Sequence, residues 1–104
     1  MTKARFLVKD GAIYGFYLEG HSTENAGDDE GRALCAAVSS AAYMAANTIT
    51  EVIGDKAEAE VSDGKMLFEV KTPSDGAKAV LKGLKLHLSE LSKQHGTRLI
   101  ITEV

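Results

Sequence analysis

Thr72–His95 reads TPSDGAKAVLKGLKLHLSELSKQH. From residue 75 onward its apolar side chains recur at helical spacing. Ala77, Val80, Leu81, Leu84, Leu88 and Leu91 fall on one stripe, and Lys78, Lys82, Lys85 and Lys93 fall opposite. Pro73 and Ser74 open this helix, and Gly96 closes it after His95. The expected span is 75–95. A helix with one clean apolar stripe needs a flat apolar surface to lie on, and its neighbours in sequence supply strands.

Upstream, residues 65–71 and 56–62 alternate with period two around Ser62-Asp63-Gly64-Lys65, an Asp-Gly hairpin turn. At the beginning of the chain, residues 3–9 and 12–19 pair the same way around Asp10-Gly11. Downstream, residues 97–103 are β-branched and read as a last strand. Between the hairpins, Leu34, Val38, Ala41, Ala45, Ile49 and Val52 mark a helix over 31–53 that faces the sheet and stops at Gly54. Its small-residue stripe, Cys35, Ser39, Ala42 and Ala46, allows close approach of another backbone. The order is ββαββαβ. The fold class is α/β in the α+β sense: a two-layer domain, a mostly antiparallel five-stranded sheet with two helices on one face, spanning 1–104.

Composition sets outer limits. A chain of 104 residues that is 44% hydrophobic builds one thin core. Twelve Lys and Arg against fifteen Asp and Glu leave a formal charge of -3, and there is no Trp. That balance argues against general attraction to nucleic acid or base stacking. Apolar runs read as too short and interrupted for a membrane span. Cys35 is the sole cysteine, so no intrachain disulfide forms, and a reducing compartment, the cytoplasm, is the expected location.

The chemistry concentrates in one strand-loop-helix unit. His21 follows Gly20 at the end of a strand. A polar, glycine-punctuated loop follows, made of Ser22, Thr23, Glu24, Asn25, Ala26, Gly27, Asp28, Asp29, Glu30 and Gly31, and it reads as mobile. Cys35 then lies near the start of the helix, capped by Asp28 or Asp29. A helix start favours a thiolate and offers amides to an oxyanion, and an imidazole nearby can take the thiol proton. Ser39 is one turn beyond Cys35 on the same face. The plain alternatives stand beside this: a lone Cys in an Ala-rich helix packs as a small apolar residue, and a strand-end His sits on the surface. His21, His87 and His95 lack metal-ligand spacing, and Asp28-Asp29-Glu30 matches no calcium loop, so no metal or other cofactor is expected.

Through Gly20-His21-Ser22 and Cys35-Ala36-Ala37-Val38-Ser39, the chain resembles the bacterial family of ribosomal-processing cysteine proteases, and the resemblance runs along nearly its whole length. The resemblance implies a cysteine endopeptidase. Its substrate would be the N-terminal extension of a large-subunit ribosomal protein precursor, cut after an aromatic residue. It implies His21 and Cys35 as the catalytic pair, with Ser39, Gly20 and Ala36 supporting. It also implies a homodimer and no cofactor; no membrane contact and no direct catalytic use of nucleic acid are expected of the chain. Arg32 stands where members carry Asp, Ser22 stands where they carry Ala, and the His-to-Cys loop is two residues longer. The competing reading is a non-catalytic ribosome-associated or protein-interaction domain with Cys35 merely packed.

Overall fold

The structure, a computed structural model, describes residues 1–23 and 25–104; Glu24, one of the loop residues named above, lies outside the described residues. The strands are β1 (Thr2–Lys9), β2 (Ala12–Gly20), β3 (Ala57–Ser62), β4 (Lys65–Val70) and β5 (Leu99–Glu103). The helices are α1 (Asp29–Asn47) and α2 (Asp75–His95). The order ββαββαβ is as expected. The five strands lie as β3-β4-β2-β1-β5. Pairs β1–β2, β2–β4 and β3–β4 are antiparallel, and β5 runs parallel to β1. Parallel pairing follows from topology, because α2 is a crossover that returns the chain in the direction of β1.

Alternation along the strands sends Ala4, Phe6, Phe16, Leu18, Met66, Phe68 and Val70 to one face. There they meet Leu34, Val38 and Ile49 of the first helix and Ala77, Leu81, Leu84 and Leu88 of α2 in a single cluster. The three phenylalanines form its centre. Phe16 stacks on Phe68 at 5.4 Å between centroids, with Phe6 tilted at 6.4 Å from Phe16. Asp28 caps α1 through Gly31 and Ser74 caps α2 through Ala77.

Three expectations need correction. The first helix begins at Asp29 rather than 31, and its last turns, Thr48–Ile53, are π-helical before Gly54 turns left-handed at φ 90°. The wider π turn rotates the end of the apolar stripe, so Val52, expected on the sheet, is 79% exposed, while Ile49 stays fully buried. The last strand begins at Leu99 rather than 97, because Gly96–Arg98 forms a 3-10 turn. On length and composition the continuous helix Asp29–Ile53 is also apolar enough to cross a membrane, contrary to the reading of its sequence. Leu34, Val38, Ala42, Ala45 and Ile49 instead bury one side of it in the core, which is how a core helix uses such a composition.

Candidate active site

β2 ends at Gly20, whose amide donates to the Gly64 carbonyl at 2.8 Å and so fastens the strand end to the tip of the β3–β4 hairpin. His21 follows and lies on that tip. Its Nε2 is 3.9 Å from Oδ1 of Asp63. A Cβ placed on Gly64, where φ is +71°, would come within 2.9 Å of the same nitrogen. The imidazole thus occupies space that exists because residue 64 has no side chain. The Met1 ammonium donates to the His21 carbonyl and holds the main chain from the other side.

Cys35 is presented by α1. With the helix opening at Asp29, the cysteine falls at the end of the second turn, beyond the region where the dipole acts strongly. The amides at the helix start are also largely engaged: Asp29 N–H on Gly27 O, Gly31 N–H on the Asp28 carboxylate and Arg32 N–H on Asp28 O, each at 3.1 Å. These three amides are thus occupied within the loop and the helix start. The main-chain donor that reaches the sulfur comes from across the loop, with Ser22 N–H donating to Cys35 Sγ at 3.1 Å.

Ser22 reads as loop surface in the sequence, yet it is fully buried. Its hydroxyl donates to Arg98 O at 3.1 Å and accepts from the Thr2 hydroxyl at 2.7 Å. Its carbonyl accepts from Arg98 Nη1 at 3.0 Å. The same Nη1 donates to the Asp28 carboxylate. Arg98 Nε lies 3.8 Å from Glu30, which also meets His95 Nδ1 at 3.0 Å. One guanidinium thus ties together both ends of the loop between His21 and α1.

His21, Cys35, Ser39 and Gly20 all line one groove of about 280 Å³. Val38 and Tyr43 of α1 and Val61 and Met66 of the hairpin supply apolar wall. Ala36, named above as supporting, is exposed and takes no part in that lining. Among the described residues no hydrogen bond joins His21 to Cys35. No group of three metal-binding side chains is assembled among them either. An accessible thiol and an imidazole bordering one groove are the parts that acyl transfer to sulfur requires.

Sequence reasoning missed Arg98, Thr2, the burial of Ser22 and the Asp63-Gly64 platform. Only the last left a mark in the sequence, an Asp-Gly turn, and that mark speaks of a hairpin rather than of a histidine. The others are joined by contacts between parts of the chain far apart in order.

The model of the family described as cysteine protease Prp matches residues 1–99. No curated protein matches the sequence. Among solved structures, the essential ribosomal processing protease Prp from S. aureus with a covalently linked product peptide superposes at TM-score 0.85 and 19% identity, each chain covered in full. The same protease with a substrate peptide gives 0.87 at 17% identity, again with full coverage of both chains. SMU.848 from Streptococcus mutans gives 0.87 at 17% identity, covering 100% of this chain and 94% of the other.

Proposed function

This chain belongs to the cysteine protease Prp family, and from that premise we propose that it is the endopeptidase that removes the N-terminal extension of a large-subunit ribosomal protein precursor. The non-catalytic alternative gives way to the family. The observation that carries the assignment of roles is that His21 and Cys35, fourteen positions apart in sequence (35 − 21), border the same groove.

In this mechanism His21 takes the proton of the Cys35 thiol and the sulfur adds to the scissile carbonyl. The resulting tetrahedral intermediate expels the amine, which leaves with the proton held by His21. His21 then draws a proton from water, which attacks the thioester and frees Cys35. The Ser22 amide, already directed at the sulfur, is the main-chain donor best placed to meet the developing oxyanion. Asp63 near His21 has a side chain 99% exposed, so its charge is screened by water and the pair acts as a dyad. Val38, Tyr43, Val61 and Met66 favour an aromatic side chain before the cut. The enzyme works in the cytoplasm, where a lone thiol stays reduced, and as a homodimer. Exposed Met44 and Leu86 support the dimer, and sedimentation of only an 11.1 kDa species at micromolar concentration would rule it out.

The test is incubation with the extension peptide of the same organism's precursor, with fragments read by mass spectrometry. Wild type cuts after an aromatic residue, C35A and C35S do not, and H21A is slower by about 100-fold or more. Cleavage by C35A at the wild-type rate would overturn the assignment.

A further inference from the structure

We propose that Arg98 is a positioning residue for the cysteine, acting through the Ser22 main chain. The inference rests on the reading of Cys35 as nucleophile. Arg98 is largely buried, with 21% of its side chain exposed, beside an Asp28 side chain only 9% exposed. Its Nη1 holds the Ser22 carbonyl at 3.0 Å and the Asp28 carboxylate. Its own carbonyl accepts the Ser22 hydroxyl at 3.1 Å. Arg98 therefore grips Ser22 at two points and sets the plane of the peptide unit on its C-terminal side. The amide on the other side of Ser22 is the one that donates to Cys35 Sγ.

Through Asp28 the same guanidinium bears on the first turn of α1, where Asp28 receives Gly31 N–H and Gly31 leaves no room for a side chain. A Cβ there would lie 2.4 Å from the Asp28 carboxylate and 2.7 Å from Ser22 O. Loop start, helix start and Arg98 are thus packed as one unit that sets where the Ser22 N–H sits relative to the sulfur. A donor aimed at sulfur is bound more strongly by thiolate than by thiol, so fixing it raises the thiol's reactivity.

The experiment compares wild type, R98M and R98K. It measures kcat and KM on the extension peptide, and the rate of Cys35 alkylation by iodoacetamide at pH 7, with circular dichroism confirming the fold. In folded R98M, kcat falls about tenfold with KM within about twofold, and alkylation slows about three- to tenfold, the scale of one typical hydrogen bond. R98K keeps the charge but lacks a planar fork spanning Ser22, Asp28 and Glu30, and it falls between. The sign of the alkylation change separates positioning from mere stability, since a loosened fold exposes the thiol and speeds alkylation. Wild-type kcat and alkylation in folded R98M would overturn the proposal, as would faster alkylation. If R98M does not fold, wild-type values in R98K would do so. C35A run alongside keeps the two ideas apart: its activity bears on the nucleophile, whereas the alkylation rates bear on Arg98.

Discussion

Gly64 is the residue on which the histidine depends most directly. Its φ of +71° lies where side chains are strained, and a Cβ would press on His21 Nε2 at 2.9 Å. His21 is half exposed and free to swing away, so relief of the clash moves the imidazole rather than the sheet. Gly64→Ala is expected to lower kcat/KM by about tenfold or more while costing only about 1 kcal/mol of stability, the ordinary cost of a left-handed Ala. Peptide cleavage kinetics beside urea denaturation check both. Equal losses in Gly11→Ala, in the β1–β2 turn at the opposite end of β2, where φ is +78° and nothing lies within 4 Å of the added Cβ, would remove His21 from the explanation. Arg98 and Ser22 belong to the same scale, with each partner meeting the other through several atoms.

At the scale of elements, α2 acts as the clamp of the domain. Leu81 and Leu88 are fully buried on the sheet side, whereas Leu86, on the other side of the same helix, is 65% exposed. Leu88→Ala leaves a cavity at the centre of the layer and is expected to cost ~2–5 kcal/mol, while Leu86→Ala stays within ~0.5 kcal/mol. Denaturant midpoints for the two variants test the orientation of the helix, and matching losses would contradict it. The first helix behaves differently. Its α-helical part supplies Leu34, Val38 and Cys35, and its π-helical end lets Gly54 return an amide to Ile49 O at 3.0 Å. Asp55 then accepts both the Ser74 amide and hydroxyl at 2.9 Å, so the end of the first helix is linked to the start of the second.

For the whole molecule, the parallel strand β5 joins the end of the chain to its beginning. Val8 N–H donates to Val104 O and Val104 N–H to Phe6 O, each at 2.9 Å, and Leu99 is fully buried. Ser92 Oγ donates to Leu99 O at 2.6 Å and ties α2 to the same strand. Ending the chain after Arg98 uncovers the β1 edge and removes Leu99. Burial of one Leu and several ladder bonds together put the loss at ~3 kcal/mol or more, a large part of the margin of a domain this size. Urea unfolding followed by circular dichroism measures it, and an unchanged midpoint would show that β5 is dispensable. Peptide cleavage is expected to fail in parallel, because Arg98 loses the strand that anchors it.

Both helices, both hairpins and the last strand were legible in the order of residues, because each is written in a period of two or 3.6 and in turn residues a few positions apart. The thiol and the imidazole were legible for a related reason: they are chemically distinctive types carried in two short motifs. The π-helical turn escaped, since Val52 continues the α-period and only packing decides which spacing the backbone takes. The sheet order β3-β4-β2-β1-β5, the Gly64 seat of His21 and the hold of Arg98 on Ser22 and Asp28 were decided by tertiary structure alone. Each depends on contacts between residues dozens of positions apart, and such contacts leave no periodic trace along a single chain.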